Sequence, residues 1–341
     1  MEKVVTLVHT RFSRTGGVEN YINKLVHGLL ARNWQVHYVT GKIQREVPPK
    51  IVIHRVPIVR GTSFSRMLSF AYGAKKAVQK INVPVVVGFG RTIYQDLYRD
   101  GSGCLLDYEV LAHKRFGWLY KKAYLHLEGL RFADKRLKKI IAISQMVKNQ
   151  IIDRYRLPPS MVEVLYNGVD PHSFFPESKT QKRDLKERLD ISKDSFVILF
   201  IGNGYLRKGL DKLLHSVARI TTSAPFTLLV AGKDRQERNY KRLARDLGCH
   251  DKVRFLGPQE NLASLYRLAD VFVLPSLFDA FGNVVLEALY SGTPAIVGPH
   301  VGANELITDG VNGYILPNCD PKTIARSIQR IYWCKDKKLM A

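Results

Sequence analysis

Residues 275–298, PSLFDAFGNVVLEALYSGTPAIVG, follow an apolar run that ends at Leu274. They place two carboxylates, Asp279 and Glu287, eight positions apart, with Gly282 between them and a short helical pattern after the glycine. Free amides at a helix start attract phosphate together with the helix dipole, and the acids can bind hydroxyl groups of the molecule that carries it. The alternative is structural: Asp279 ends a strand, and Glu287 lies near the favourable end of a helix dipole.

The composition predicts a folded protein of about two domains. The chain has 341 residues, of which 45% are hydrophobic, and this is enough for two cores. No export signal and no run of eighteen apolar residues is found, so we expect a protein that is neither exported by this route nor membrane-spanning. The cysteines lack CxxC or CxxH spacing and favour a reduced, cytosolic protein without a zinc site or disulfide framework; they are Cys104, Cys249, Cys319 and Cys334.

The charge is strongly positive, +23 at pH 7. Residues 1–170 contain 28 Lys and Arg against 12 Asp and Glu, whereas residues 171–341 contain 25 against 18. The excess therefore lies mainly in the first half. It favours an anionic partner, which could be nucleic acid, anionic lipid or a phosphorylated substrate.

The first half opens with a strand, a glycine loop, a helix and a second strand. Residues 3–9 and 34–40 have the patterns of buried strands, and apolar residues recur at helical spacing over 18–30. Gly16 and Gly17, at the start of that helix, would let the backbone approach a ligand. The pair lacks the GxGxxG spacing of a dinucleotide site, and a tight turn would also explain it.

A second glycine-rich loop, GFGRTIYQDLYRDGSG at residues 88–103, follows a strand predicted over 83–89. Ligands of doubly wound sheets bind at the carboxyl ends of strands, so its acids Asp96 and Asp100 are catalytic candidates. For each acid taken singly, a turn or cap role is the alternative.

Residues 114–139 form a basic, aromatic, helix-compatible segment. They carry nine Lys and Arg against Glu128 and Asp134. Cations and interfacial aromatic rings suit a surface that lies on anionic lipid head groups, and the same mixture can contact a nucleic-acid backbone. A solvated helix with a buried apolar stripe is the structural alternative. The interleaved aromatic residues are Phe116, Trp118, Tyr120, Tyr124 and Phe132.

The second half repeats strands and helices at intervals of about 20 to 30 residues, a pattern typical of parallel strands with crossover helices. An Asn-Gly turn and prolines near 166–176 indicate a boundary that divides the chain into domains 1–170 and 171–341. Strands are predicted to begin near Phe196, Phe226, Val253, Val271, Ala295 and Gly313.

The loop GNGYLRKGLD, residues 202–211, follows the first strand of the second half. Arg207 and Lys208 are expected where the next helix begins, and two cations at such a point could hold a diphosphate. A solvated Arg-Lys pair is the structural alternative.

Five motifs together resemble one family, the retaining glycosyltransferases of family 4. The resemblance extends to lipopolysaccharide-core glucosyltransferases through VVGFGRTIYQDLYRDGSGC at residues 86–104 and the basic segment after it. It implies the GT-B fold, with two Rossmann-like domains whose parallel sheets face each other across a cleft. The acceptor-side domain would be 1–170 and the donor-binding domain 171–341. The motifs are TGGVEN (15–20), AISQMVK (142–148), YNGVDPHSFFP (166–176), GNGYLRKGLD (202–211) and SLFDAFGNVVLEALYSGTPAIVG (276–298).

The resemblance also implies residue roles. In the family a Glu-x7-Glu motif binds the donor, the first acid through the sugar and the second through the ribose. Asp279 and Glu287 match these acids, the first shortened by one methylene. Arg207 and Lys208 match residues that hold the diphosphate. The catalytic candidates are Arg207, Lys208, Asp279, Asp96 and Asp100, and the donor-binding candidates are Gly16, Gly17, Glu19, Asn203, Phe281, Gly282, Asn283, Val284 and Glu287.

The implied reaction moves a hexose, glucose from UDP-glucose, with retention and without a protein nucleophile. The leaving phosphate would take the acceptor's proton. No DxD sequence occurs and the cations supply charge, so neither a metal nor another cofactor is expected. Two features depart from the family: no helix is predicted after the one at 320–333, and the acceptor-side histidine that many relatives carry is not evident in the loop that follows Phe89.

An anionic lipid-linked saccharide acceptor, at an anionic membrane surface, would account for the basic first half. We therefore expect a cytoplasmic protein, peripheral on the inner face of the cell membrane. Alternatives are a glycosyltransferase that uses a GDP- or UDP-sugar and a phospholipid or exopolysaccharide acceptor, and a non-catalytic basic module that binds membrane or nucleic acid. No RNA-binding signature is found, so no nucleic-acid partner is expected.

Overall fold

The computed structural model describes residues 3–13, 16–176, 179–221 and 225–336. The chain forms two compact units, Met1–Asn167 and Gly168–Ala341. Thr15 of the TGGVEN motif lies outside the described residues. Residues 337–341 also lie outside them, so the expectation that no helix follows the one at 320–333 is not tested there.

In the described part of unit 1, seven parallel strands form one sheet in the order β5-β3-β1-β6-β7-β8-β9, and β2 pairs with β4 in a separate ribbon. The strands are β1 (Val4–Val8), β2 (Arg11–Phe12), β3 (Gln35–Thr40), β4 (Lys42–Ile43), β5 (Ile51–Arg55), β6 (Val86–Phe89), β7 (Leu97–Asp100), β8 (Lys139–Ala142) and β9 (Val162–Val164). The helices are α1 (Gly17–Ala31), α2 (Ser63–Ile81), α3 (Leu105–Leu111), α4 (Trp118–Phe132) and α5 (Gln145–Tyr155), with a 3₁₀ turn at Pro159–Met161.

Apolar periodicity accounts for the core of unit 1. All five residues of β1 are buried, as expected for a central strand covered on both faces. Ile22 and Val26, one turn apart on α1, pack with Leu7 of β1. Phe70 and Ala74 of α2 belong to a second cluster with Val8 and Val39. The sheet is therefore covered by helices on both faces.

In the described part of unit 2, six parallel strands form a sheet in the order β12-β11-β10-β13-β14-β15. The strands are β10 (Phe196–Ile201), β11 (Phe226–Ala231), β12 (Val253–Gly257), β13 (Val271–Leu274), β14 (Ala295–Val297) and β15 (Gly313–Ile315). The helices are α6 (Lys179–Arg188), α7 (Tyr205–Lys208), α8 (Leu210–Val217), α9 (Glu237–Asp246), α10 (Leu262–Leu268), α11 (Asn283–Tyr290) and α12 (Pro321–Asp336), with 3₁₀ turns at His250–Lys252 and Gly302–Leu306.

Both sheets have a point where the strand order reverses. In unit 1 the chain runs outward from β1 through β3 to β5 and then returns to β6, beside β1. In unit 2 it runs from β10 to β12 and returns to β13, beside β10. Ligands of open parallel sheets bind at the carboxyl ends of such strand pairs. The prediction of two Rossmann-like domains with parallel sheets is confirmed, and the reversals indicate where to look for a site.

The limits of two helical segments are narrower than the sequence pattern suggests. Arg207 and Lys208 lie near a helix start as expected, but that helix, α7, is a single turn from Tyr205 to Lys208, and α8 starts after Gly209. The segment 114–139 is helical only over Trp118–Phe132, because a loop precedes α4 and β8 begins at Lys139. In the first segment, Gly209 separates α7 from α8. In the second, strand β8 takes up the end of the helical pattern.

Candidate active site

Hydrogen bonds connect the loop after β10 to the loop after β13. The carbonyl oxygen of Arg207 accepts from the Leu277 amide at 2.9 Å and from the Ser276 hydroxyl at 3.0 Å. Gly209 has φ 78°, and a Cβ at this position would overlap the carbonyl oxygen of Pro275. A residue with a side chain would push the two loops apart. Glycine therefore allows the cations of α7 to lie beside the acid of the next loop.

Lys208, Arg207 and Asp279 form the charged centre of unit 2. The Lys208 ammonium group is ion-paired with Oδ2 of Asp279, and Nη1 of Arg207 lies 4.0 Å from the same oxygen. Arg207 also donates to the carbonyl oxygen of Phe278 at 2.9 Å. Burial opposes ionisation of Asp279, but the charges of Lys208 and Arg207 outweigh it and lower the pKa of this carboxyl below its usual value. Asp279 is therefore an anion that fixes the position of two cations.

Helix α11 begins beside this centre. Its N-cap is Gly282, with φ 92°, which has no side chain to cap the first turn. A Cβ on Gly282 would lie 3.7 Å from Oδ2 of Asp279, which shows how near the helix start is to the ion pair. The positive end of a helix dipole and two cations thus occupy one small region, as phosphate binding requires. The predicted donor residues Phe281, Asn283 and Val284 lie at this helix start.

Glu287 lies one turn further along α11 and is half-buried. The hydroxyl of Tyr266 on α10 donates to its Oε2 at 2.8 Å. Asn203, in the loop after β10, accepts from the Lys233 amide at 2.9 Å and so joins this loop to the one after β11. Of the predicted residues, the structure brings together Arg207, Lys208, Asp279, Gly282 and Glu287 on neighbouring elements of unit 2.

The predicted residues of the first loop belong to a separate cluster in unit 1. Gly16 is the N-cap of α1 with φ 119°, and a Cβ there would overlap the Glu19 carboxylate. Glu19 is 6% exposed and lies 3.3 Å from Arg11 and 3.5 Å from Nε2 of His9. Burial opposes its ionisation, but hydrogen bonding to His9 and its own backbone, with the charges of His9 and Arg11, lowers the Glu19 pKa. Around Gly17, the space that a Cβ would occupy is open.

Sequence reasoning did not identify His9. It directly follows β1, at the carboxyl end beside β6, and its Nδ1 lies 3.4 Å from the carbonyl oxygen of Phe89. The available signal was a histidine immediately after a wholly buried strand. Its ring therefore lies beside Phe89, at the start of the loop in which the acceptor-side histidine of the family is not evident from sequence.

Asp96 and Asp100 have local structural roles. Oδ2 of Asp96 accepts from the Val86 amide and from Arg136, both at 2.9 Å. Oδ1 of Asp100 accepts from the amides of Ser102 and Gly103, at 2.9 and 2.8 Å. The Asp100 contacts are those of a turn residue. Asp96 instead bonds to the backbone of β6 and to the Arg136 side chain, and both sets of contacts favour a structural role over a catalytic one.

The basic aromatic segment has a buried side and an exposed side. Tyr124 and Leu127 of α4 belong to a core cluster with Met67 of α2, whereas Trp118 is 69% and Leu119 52% exposed. A cavity of about 370 Å³, open to solvent, lies at the helix start. Its lining holds three cations against one acid, Glu109, which is ion-paired with Lys121 at 2.5 Å; the lining residues are Glu109, Val110, Lys114, Arg115, Phe116, Trp118 and Lys121. No helix within the described ranges has the length and apolarity to span a membrane. Those ranges also hold no group of three or more His, Cys, Asp or Glu that could bind a metal ion.

Comparisons with known proteins cover both units. Residues 15–173 match the family model for Glycosyltransferase Family 4, and residues 181–340 that for Glycosyl transferases group 1. A D-inositol 3-phosphate glycosyltransferase of Streptosporangium roseum is 34% identical over 358 residues, which cover 92% of this chain and 80% of that protein.

Many solved structures share the fold, and two of them bear on the donor and the acceptor. The crystal structure of WaaG, a glycosyltransferase involved in lipopolysaccharide biosynthesis, has a TM-score of 0.84 at 20% identity, covering 98% of this chain and 92% of that one. HepE of Anabaena, in complex with UDP-glucose, has a TM-score of 0.71 at 17% identity, covering 99% and 91%. The family matches identify an enzyme, so the non-catalytic alternative is wrong. The chain belongs to glycosyltransferase family 4 and is a glycosyltransferase of the GT-B fold.

Proposed function

We propose that this enzyme transfers a hexose, glucose from UDP-glucose, with retention to an anionic lipid-linked saccharide such as a lipopolysaccharide core. The observation that carries the donor assignment is the grouping of Lys208, Arg207 and Asp279 at the start of α11. Such a grouping suits a diphosphate that gains charge as its bond to the sugar breaks. The UDP-glucose complex of HepE, which has the same fold, supports this choice of donor.

In the proposed reaction, the bond between the sugar carbon and the diphosphate oxygen breaks, and the acceptor oxygen bonds to the same face of the sugar. The acceptor's proton passes to the departing phosphate, so no protein nucleophile is needed. Arg207 and Lys208 would stabilise the negative charge on the phosphate, and the Asp279 carboxylate beside them would stabilise the positive charge that develops on the sugar ring. Because two cations and a helix start already supply positive charge, we propose that no metal ion takes part.

Glu287 is proposed to bind the ribose hydroxyl groups. Its carboxylate lies one turn along α11 from the helix start, on the same element as the phosphate site. Hydrogen bonds to a charged group contribute about 1.5 to 3 kcal/mol, so the contact would add measurably to donor affinity.

The acceptor proposal rests on unit 1. Its excess of Lys and Arg, the exposed Trp118 and Leu119, and the cationic cavity at the start of α4 suit an anionic acceptor held at a lipid surface. The protein would then act at the inner face of the cell membrane, as a peripheral enzyme.

A second candidate keeps the donor site but uses another acceptor, such as a phospholipid head group, an inositol phosphate or an exopolysaccharide intermediate. The relative that is 34% identical and named for D-inositol 3-phosphate favours this candidate. Phosphorylated inositol is also anionic, so the basic charge of unit 1 fits both acceptors. Transfer assays with lipopolysaccharide core, phosphatidylinositol and inositol phosphate, each with the same labelled donor, would distinguish the two candidates.

The donor is tested by isothermal calorimetry without metal, with UDP, GDP, ADP and dTDP and their glucose conjugates. We expect preferential binding of UDP and UDP-glucose, unchanged by chelator. Binding that requires added Mg²⁺ would contradict the metal-free proposal, and binding of none of the nucleotides would contradict the donor site. The anomeric configuration of the product, read by NMR, tests retention.

A further inference from the structure

We infer that Tyr266 is a positioning residue, which orients the Glu287 carboxylate for the ribose of the donor; the inference rests on the proposed donor site. Tyr266 lies on α10 and Glu287 on α11, and the hydroxyl donates to Oε2 at 2.8 Å. A bond to one carboxylate oxygen restricts the rotation of the carboxylate and thereby fixes the direction of the other oxygen. Affinity then depends on a residue that does not itself contact the ligand.

The Tyr266 ring is held from several directions. It is fully buried, and it makes edge-to-face contacts with Phe174 at 5.9 Å and Phe272 at 5.8 Å. The hydroxyl of Thr293 donates to the Tyr266 carbonyl oxygen at 2.6 Å, which ties the backbone of α10 to the segment after α11. Packing therefore restricts the orientation of the Tyr266 ring, and this orientation places the hydroxyl group beside the Glu287 carboxylate.

The hydroxyl is a donor over the whole working range of pH. Burial raises the Tyr266 pKa well above its usual value, and the charge of Glu287 raises it further. The proton therefore stays on the tyrosine, and the carboxylate of Glu287 is the acceptor. A neutral donor inside the core can orient a half-buried anion without neutralising it.

The matching substitution is Tyr266→Phe, which removes one oxygen atom and keeps the ring contacts with Phe174 and Phe272. Tyr98→Phe is the control variant. Tyr98 is 2% exposed, makes an edge-to-face contact with Phe132 and donates its hydroxyl to the Gly90 carbonyl oxygen at 2.9 Å, in unit 1. Both substitutions remove one buried hydrogen bond, so we expect similar small losses of stability.

Calorimetry with UDP and 2′,3′-dideoxy-UDP separates positioning from general packing. The wild type should bind UDP roughly tenfold more tightly than the dideoxy analogue, if Glu287 binds the ribose hydroxyls. Tyr266→Phe should weaken UDP binding roughly five- to tenfold and leave binding of the analogue unchanged. Tyr98→Phe should change neither. In turnover assays, Tyr266→Phe should raise the donor KM with kcat within about twofold, since a ribose contact acts equally in ground and transition states.

Each contrary outcome is informative. If the wild type distinguishes the two nucleotides and Tyr266→Phe binds UDP as tightly as the wild type, the inference is overturned while the donor site stands. Equal loss of affinity for both nucleotides would show that Tyr266 only supports packing, and would also overturn it. If the wild type binds UDP and its analogue equally, the ribose contact of Glu287 fails, and with it the role of Tyr266.

Discussion

At the scale of single residues, one anion organises the proposed site. Asp279 is ion-paired with Lys208 and lies 4.0 Å from Arg207, so the two cations are placed before any ligand binds. Such preorganisation matters because charge fixed in advance needs no rearrangement when the leaving phosphate becomes more negative. Lys208 is 8% exposed and Arg207 is half-buried, so the two cations differ in how far the protein already surrounds them.

This difference leads to a prediction for Arg207→Ala. If Arg207 acts mainly on charge that develops in the transition state, the variant should lose about 10²- to 10³-fold in kcat and only a few-fold in donor affinity. Steady-state kinetics and calorimetry with UDP would measure the two effects. Arg219→Ala removes the same charge from an exposed position at the end of α8 and should change neither. Equal losses in kcat and affinity for Arg207→Ala would argue for ground-state binding alone.

Sequence reasoning found the charged residues of unit 2 because they lie within short motifs that follow predicted strands, but it could not find their partners. Asp279 and Glu287 are eight positions apart on one segment, which is a local signal. Tyr266 precedes Glu287 by 21 residues and lies on another helix, so only packing shows that they meet. Asp96 likewise resembles a catalytic acid in sequence, and only the fold reveals its bonds to Val86 and Arg136.

At the scale of elements, most central strands were predicted well because buried parallel strands are continuous apolar runs. The exception is β7 (Leu97–Asp100), which lies inside the stretch interpreted as a polar loop, because its arginine and aspartate conceal the apolar pattern. The six strands of unit 2 begin at the residues that the sequence indicates. Helix limits were predicted less well, because they depend on backbone conformation. α7 ends at Lys208, and its C-cap Gly209 combines a positive φ with a close approach to the Pro275 carbonyl oxygen that only the fold reveals.

Gly209 provides a test of this placement. Gly209→Ala should destabilise unit 2 by about 2 to 4 kcal/mol, since it combines strain at a positive φ with overlap on Pro275, and should abolish donor binding. Gly204→Ala is a matched control: its φ is 72°, but a Cβ there would meet no atom within 4 Å, so only about 1 kcal/mol of strain is expected. Urea unfolding would measure both. Similar losses for the two variants would show that the contact with Pro275 is unimportant.

A second element, the edge strand β5, should make unit 1 sensitive to acid. His54 of β5 lies beside His37 of β3, with Nε2 and Nδ1 3.0 Å apart. Burial lowers the pKa of both, and the charge of His37 lowers that of His54 further. The folded state thus binds fewer protons than the unfolded state, so stability should be complete above about pH 6.5 and fall as the pH drops below it.

Thermal unfolding of the wild type between about pH 7 and pH 5 would follow this loss. His54→Asn should reduce the pH dependence, because it leaves a single imidazole at the strand edge. His250→Asn, at an exposed position of unit 2, should leave the dependence unchanged. A stability that is independent of pH in this window would exclude the histidine pair as its cause.

At the scale of the whole molecule, the net charge of +23 and the exposed aromatic surface of α4 act over different distances. Salt at about 0.1 M screens electrostatic attraction beyond about 10 Å. The net charge therefore mainly attracts the protein to an anionic surface. The apolar contact of Trp118 and Leu119 is independent of salt but requires insertion at the interface. The electrostatic and the apolar contributions to the proposed membrane interaction can therefore be distinguished by their dependence on salt.

Binding to vesicles separates the two contributions. With anionic vesicles, Trp118→Ala should weaken partitioning roughly five- to tenfold at every salt concentration, because it removes an interfacial aromatic contact. Raising the salt from about 0.05 M to 0.5 M should weaken the wild type and Trp118→Ala by the same factor, since the charge is unchanged. Trp333→Ala is the matched control, because Trp333 is 50% exposed on α12 of unit 2. If Trp333→Ala weakens binding as much as Trp118→Ala, the start of α4 is not the membrane-facing surface. If neutral vesicles bind equally well, the net charge does not contribute to membrane binding, and the argument for an anionic surface fails.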